Sequence, residues 1–489
     1  MTTVQDVFKI IYEAAKKEKV GVYVVGGYIR DILLGKKDTK DIDCVVVGSG
    51  INFARSFDVA MKKTGSLVEF PDFDTARYIV EIPNPKSQIP NTIVVEFAGA
   101  RAEAYDQKSR KPKVAGATLE QDLSRRDFTV NAMAVPVEVF TKKVTLVALK
   151  KKLLDLFDGG KDLKNKLLRT PLDPDATFSD DPLRMLRAIR FAGQLDFSIS
   201  PEALESIHRN RARIKIISGE RVQEELLKML ATKKPSVSLT LLYQTKLLDE
   251  ILPEVSALKG VDEVFGHQHK DNLIHSFLVV DNIAEQSENV WLRLTGLFHD
   301  IGKTGTKKFV PKIGWTFHSH EHLGKKLFYG IAKRLKFSKE HTDYVAKLIR
   351  WHLQPISLMD DGITDSAVRR LIVTMGDQIG DLLILGRGDI TTGNPNKKER
   401  RLKNYDNLAK KIVEVLEKDK LRDFQSPLRG DEIMSLSGLK PGPTVGKIKS
   451  AIEEAILDGI IPNEYEAAKG YFDKIKEQYL KLALDWEKI

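Results

Sequence analysis

At 489 residues, 42% of them hydrophobic and 30% charged, the chain is too long for one core, and its composition excludes a collagen, a disordered chain or a disulfide scaffold. A formal charge of +10 favours a polyanionic partner, while the lone Cys44, set in an apolar run, excludes an internal disulfide and reads as a buried structural thiol. No apolar run approaches the roughly 20 residues that span a bilayer. The N-terminal stretch to Lys19 is an amphipathic pattern with acids and no cleavage site, so a cytoplasmic enzyme with no membrane partner is expected.

Short β-rich runs at Val22–Val25, Cys44–Val47 and Thr92–Phe97 alternate with helical patterns over residues 1–150 and predict an α/β head with a mixed sheet. Beyond it helical patterns dominate. Breaks at 170–175, 233–236, 260–270 and 391–396 suggest all-α neck and body segments over 151–259, a further helical module over 260–395, and a basic helical tail over 396–489.

The run VYVVGGYIRDILLGKKDTKDIDCVVVG concentrates the chemistry. Gly26-Gly27 lets a ligand approach the backbone, and the helix opening at Tyr28 can turn its first amides toward a phosphate. Asp41 and Asp43 alternate along a strand, so both carboxylates share one face while Ile42 points into the core. Such a pair suits magnesium, which takes hard oxygen ligands and substrate phosphates. The bland alternative is a solvated edge-strand pair.

Gly26-Gly27-Tyr28-Ile29-Arg30-Asp31 followed by Asp41-Ile42-Asp43 resembles the class II tRNA nucleotidyltransferase and bacterial poly(A) polymerase family. The resemblance implies a two-metal nucleotidyltransferase in which Gly26, Gly27 and Arg30 contact the triphosphate and Asp41 and Asp43 are catalytic magnesium ligands. Glu96, in the strand Ile93–Phe97, is the candidate third carboxylate; pairing with Arg101 is its alternative. Arg125, Asp127 and Asn131, in Arg125-Arg126-Asp127-Phe128-Thr129-Val130-Asn131, resemble the ribose-recognition motif. Leu156–Leu163 resembles a hinge-like motif. Asp180-Asp181-Pro182-Leu183-Arg184 resembles the protein template that reads CTP or ATP. There Asp181 and Arg184, three apart, are expected on one helix face, with Arg187 and Arg190 beside the nucleotide or on plain surface. Asp180 stands where the family usually has Glu. Glu220–Leu226 matches a scaffold helix.

Poly(A) polymerases of this class carry a basic signature that Phe70–Arg77 lacks, and the polar stretch 82–92 suits the element linked to the switch from C to A. The expected activity is therefore CCA addition to the tRNA 3′ end from CTP and ATP, with poly(A), CC-only or A-only addition as alternatives.

Histidines then crowd the chain between 267 and 352, and His275, His299-Asp300, His320, His352 and Asp389 form an ordered transition-metal ligand series. With Gly302-Lys303 it resembles the HD phosphohydrolase superfamily. That implies one or two divalent metals and permits phosphatase or cyclic phosphodiesterase activity, so a metal phosphohydrolase acting on RNA ends or nucleotides is the reading of another class. His267, His269, His318, His322 and His341 have no assigned part. From Lys397 to Arg429 there are eleven Lys and Arg against six Asp and Glu. Lys397, Lys398, Arg400, Arg401 and, in the Gly/Pro turn beyond, Lys440 are expected to hold tRNA, with the turn's amides facing phosphates.

Overall fold

The computed structural model describes residues 3–36, 41–82, 91–104, 113–260, 263–264, 267–268, 271–359, 364–419 and 426–488. The stretch expected to accompany the switch from C to A lies largely outside them, as does His269. The chain divides into two compact units, Met1–Pro253 and Glu254–Ile489.

The first unit opens with helix α1 (Val4–Glu18), strand β1 (Val22–Val25), α2 (Gly27–Leu33), β2 (Asp41–Val46), α3 (Gly50–Ala60), β3 (Ser66–Phe70), β4 (Thr75–Ile82) and β5 (Asn91–Gly99). A hairpin of β6 (Arg101–Ala104) and β7 (Lys113–Gly116), then α4 (Leu119–Ser124), β8 (Met133–Pro136), α5 (Leu146–Lys151) and β9 (Leu154–Asp155) complete the head. Its sheet runs β3-β4-β5-β2-β1-β8-β9, with β2 in the middle. β2 and β5 are parallel and the other neighbours antiparallel, so the sheet is mixed. Because β9 pairs with β8, the head sheet runs past the boundary expected at 150.

Period-two alternation explains the two faces. Val22, Val24, Ile42, Cys44, Val46, Val95 and Phe97 point into a core closed by Phe8 and Ile11 of α1 and Phe53 and Phe57 of α3. On the other face Val25, Val45 and Ala134 pack with Leu119 and Leu123 of α4. Cys44 is buried as expected, and burial pushes its thiol far up, out of the reactive range.

The helices that follow are α6 (Gly159–Lys164), α7 (Pro174–Asp180), α8 (Leu183–Leu195), α9 (Pro201–Asn210) and α10 (Gly219–Leu230). In the second unit we number α11 (Asn272–Ala284), α12 (Val290–Phe298), α13 (His320–Leu335), α14 (Lys339–Trp351), α15 (Asp365–Met375), α16 (Ile379–Gly388) and α17 (Pro395–Asp419). Leu408, Ile412 and Val415 of α17 share a core with Val279, Leu371 and Leu385. Residue 396 therefore falls inside an element of the helical module and marks no break. A separate core, with Ile433, Ile448, Ile452, Ile456 and Phe472, joins α18 (Gly430–Ser437), α19 (Pro443–Leu457) and α20 (Tyr465–Leu480).

Candidate active site and metal centre

The head site begins with strand register. Asp43 of β2 lies directly opposite Glu96 of β5, and Asp41 lies two residues earlier on the same face. Ile42 between them is buried. Gly26 sits at the head of α2 with φ +71, a conformation costly for a side chain, and a Cβ there would stand 3.2 Å from Asp43 Oδ2. Burial, followed by the charges of Glu96 and Asp41, raises the Asp43 carboxyl above its ordinary range, against the pull of Arg126 and Arg187. Glu96 pairs with Arg77 at 3.2 Å, and Arg101 donates to Thr75 Oγ1 at 2.9 Å. Among the described residues no hydrogen bond reaches the carboxylate of Asp41 or Asp43.

Asp41, Asp43 and Glu96 face a cavity of about 730 Å³ that Gly26, Gly27, Arg30, Arg126, Asn131 and Arg187 also line. An adjoining cavity shares Asp43, Glu96, Arg126, Asp127 and Arg187, and adds Arg125, Asp181, Arg184 and Arg221.

The arginines are held by buried acids. Asp122 takes Arg125 at 2.5 Å and Arg126 at 3.0 Å. Arg187 forks onto Asp127 Oδ2 through Nε (2.8 Å) and Nη2 (2.6 Å), while Asp127 Oδ1 accepts from the Phe128 amide and from Asn131 Nδ2. Burial alone would push the Asp127 carboxyl up, but Arg187, the Asn131 hydrogen bond and the charge of Arg184 together outweigh that and hold it at about 2. Arg30 donates to Asp31 (2.9 Å) and to Asn131 Oδ1 (2.8 Å). Arg190 is no surface residue: it is buried, bonded to Glu225 at 2.6 Å, and lies over the Phe191 ring.

Asp181 and Arg184 do not share a helix as their spacing suggested. Asp181 is extended (φ −130, ψ 96) at the junction of α7 and α8, and its carbonyl accepts the Arg184 amide at 3.0 Å. Pro182 starts the new helix there and interrupts the ladder. Both side chains nevertheless line one cavity.

In the second unit every predicted ligand sits at an end of a helix: His275 in the first turn of α11, His299 and Asp300 just past α12, His320 first in α13, His352 capping α14 and Asp389 capping α16. These ends converge into two groups, His275-His299-Asp389 and Asp300-His320-His352. Asp300 ties them together, 3.3 Å from His299 Nε2 and 3.2 Å from His320 Nε2, while Asp389 lies 2.8 Å from His275 Nε2.

Behind this ring, the Nδ1 atoms of His299, His320 and His352 meet the backbone carbonyls of Gly296, Phe317 and Ile349, and His275 Nδ1 meets Thr391 Oγ1. That leaves each Nε2 aimed at the centre, the arrangement that orients metal-ligating imidazoles. His299 Nε2 is buried without a hydrogen-bond partner, which a metal would supply. The donor set fits a divalent cation.

Residues 22–169 match the poly(A) polymerase head domain, 196–259 the probable RNA- and SrmB-binding site of polymerase A, and 272–410 the HD domain. The multifunctional CCA protein of Pseudomonas fluorescens is 32% identical over 347 residues, covering 68% of this chain and 74% of that one. The chain belongs to the tRNA nucleotidyltransferase and poly(A) polymerase family. An A-adding tRNA nucleotidyltransferase of Aquifex aeolicus is 30% identical over 69% of this chain and 38% of its own. The Bacillus stearothermophilus CCA-adding enzyme, solved in complex with CTP, shares the fold with TM-score 0.65 at 18% identity over 99% of this chain and 100% of that one. No helix among the described residues is long and apolar enough to cross a membrane.

This member of the family departs from the sequence reading in its tail. The amide of Thr444, in the Gly/Pro turn, is taken at 2.8 Å by the buried carboxylate of Glu487, so this amide serves the fold and does not face a phosphate. Lys440 itself is exposed, as are Lys397, Lys398, Arg400 and Arg401 on α17. Among the arginines that line the cavities, Arg77, Arg126 and Arg221 have no role assigned from the sequence. Arg126 carried a signal in its i,i+4 spacing from Asp122, whereas Arg77 and Arg221 depend on strand and helix neighbours that spacing does not show.

Proposed function

We propose that the chain adds C, C and A to the 3′ end of tRNA from CTP and ATP, without a nucleic-acid template and with magnesium at the head site. The observation that carries the reading is one strand face on which Asp41, Asp43 and Glu96 meet the arginines of the nucleotide cavity, with Asp181 and Arg184 lining the adjoining one. The names of two relatives, a multifunctional CCA protein and an A-adding tRNA nucleotidyltransferase, support tRNA as the acceptor. The crowding of three carboxylates with no donor on Asp41 or Asp43 fits a divalent cation, and hard oxygen ligands fit magnesium. When bound, such ions would favour ionisation of the primer's 3′-hydroxyl and offset charge on the triphosphate.

The chain's own residues do the placing. Gly26 and Gly27 keep the wall beside Asp43 free of side chains. Arg126 and Arg187, pre-oriented by Asp122 and Asp127, offer cationic forks to the phosphates. Asp127 and Asn131 act chiefly by fixing Arg187 and Arg30. Asp181 supplies an acceptor and Arg184 a donor to the base edge. The primer's 3′-oxygen bonds to the α-phosphorus as pyrophosphate leaves and the hydroxyl proton is lost. In the second unit, we read the six-ligand centre as holding a divalent metal and hydrolysing phosphate esters. The orphaned His299 Nε2 supports the metal, and the match of residues 272–410 to the HD domain supports the hydrolysis.

The test is incubation of a tRNA lacking its 3′ end with CTP, ATP and magnesium. Addition of C, C and A followed by arrest is expected. Unlimited A addition, or A addition only to a primer already ending in CC, would replace this reading with one of the alternatives.

A further inference from the structure

The basic start of α17 was read from the sequence as part of a tRNA-holding tail, but the fold puts it elsewhere. Tyr405 fills the space a Cβ would need at Gly386, and Asp406 pairs with Arg387 at 2.6 Å. These contacts set α17 against α16 with its later residues packed in the core. Tyr405 lies within electrostatic reach of both Asp389 and Arg401, which places the turn of α17 that precedes Tyr405 at the end of α16 that carries Asp389. Every residue from Gly393 to Arg401 is exposed, as an overhang requires. Lys397, Lys398, Arg400 and Arg401 thus project from the end of the bundle where all six ligands lie. Lys303, bonded at 2.5 Å to Asp300, adds a cation at the centre itself.

We propose that the overhanging start of α17 is the polyanion-binding lip of the metal centre, and that the centre takes the terminal phosphate of an RNA strand whose backbone runs along this helix. The inference rests on reading the centre as a phosphate-ester site. A free mononucleotide needs one cation beside its phosphate; four exposed cations on about one and a half turns of helix match a strand with several phosphates. RNA is the polyanion whose 3′ end the head is read to handle.

The test uses the full chain and a fluorescent 12-nucleotide RNA bearing a 3′-phosphate or a 3′-hydroxyl, with binding read by anisotropy across a salt series with and without Mn2+. In the variant combining Lys397→Gln, Lys398→Gln, Arg400→Gln and Arg401→Gln, the 3′-phosphate RNA should bind at least about tenfold more weakly. The slope of log Kd against log salt should fall by roughly 2 to 3, since each single-strand phosphate contact contributes about 0.7. A charge-keeping variant (Lys397→Arg, Lys398→Arg, Arg400→Lys, Arg401→Lys) should bind as the parent does. Mn2+ should tighten binding of the 3′-phosphate RNA over the 3′-hydroxyl RNA, and Asp300→Asn should lose that preference.

Unchanged binding by the glutamine variant overturns the proposal. So does a Mn2+ effect equal for both RNA ends, or 3′-AMP displacing the RNA with the RNA's own affinity. Hydrolysis is read separately as inorganic phosphate released when water attacks phosphorus and the P–O3′ bond breaks, the ribose oxygen taking a proton. End-selective, metal-dependent binding without release sinks the hydrolase reading and leaves the lip standing.

Discussion

On the open face of β2, Asp43 stands beside Glu96 and two residues from Asp41, and burial with these like charges raises its carboxyl. A raised acid favours folding below the unfolded carboxylate range, and that contribution is lost as pH climbs through the folded value. Metal-free protein should therefore lose stability from this site as pH rises toward neutral, and Asp43→Asn should raise Tm at pH 7 in chelator. The same variant should lower kcat for nucleotide addition by at least about a hundredfold, the scale of losing one preorganised charge contact. An unchanged or lower Tm would remove the claim that these carboxylates are crowded for use. Asp127 has the opposite sign. Held at about 2 by Arg187, Asn131 and Arg184, it contributes stability above the unfolded value near 4 that drains away as pH falls through 2. Asp127→Asn leaves Arg187 short of its partner. With that guanidinium a third exposed, the cost should be about 2 kcal/mol, below the 3–5 typical of a fully buried pair, read by urea unfolding at pH 7.

At the scale of elements, α6 ties the head to the helices after it. Asp155 caps it through the amides of Gly159 (2.7 Å) and Gly160 (2.8 Å), and Asp162 accepts from Thr129 at 2.6 Å. A Cβ on Gly159 would lie 2.3 Å from the Thr129 carbonyl oxygen. Gly159→Ala should therefore cost about 1–3 kcal/mol, the range for overpacking a filled interior, while Gly160→Ala, facing only the Asp155 carboxylate at 3.2 Å, should cost less. Equal effects in urea unfolding would mean that the close approach does not matter. The same elements show what the sequence could reveal. β1 and the two-aspartate face follow from a period of two, which is local and visible in a single chain. The union of Asp181 and Arg184 does not follow from a period, because Pro182 breaks the helix between them. Their shared cavity depends on packing of α8 against α10, where Arg190 meets Glu225 across thirty-five residues. For the six metal ligands, residue type and order were enough to nominate them; that they all cap one end of a bundle was not. The tail amide of Thr444 was misread because Glu487, forty-three residues away, meets it first.

Across the whole molecule, two compact units each carry their own core, with the crowded carboxylates of Asp41, Asp43 and Glu96 on one strand face of the first and the six-ligand centre in the second. The two sets should respond differently to chelation. On the reading proposed above, the head carboxylates would take magnesium only together with substrate phosphates, so little folding energy should depend on the ion alone. The second centre draws its side chains from five helix ends, with three of its four imidazoles held by backbone carbonyls, so a metal bound there would hold the bundle closed. A ligand present at a hundred times its Kd contributes about 2.7 kcal/mol to the folded state. For a unit this size that corresponds to a Tm difference of about 5–10 °C. Calorimetry of the full chain should resolve a transition that falls by this amount in EDTA and a second that stays. Asp300→Asn, which removes the carboxylate shared by both ligand groups, should leave the first transition at its EDTA position whether or not metal is added. If both transitions fall together, or Asp300→Asn retains the metal response, the second unit does not depend on this centre for its stability.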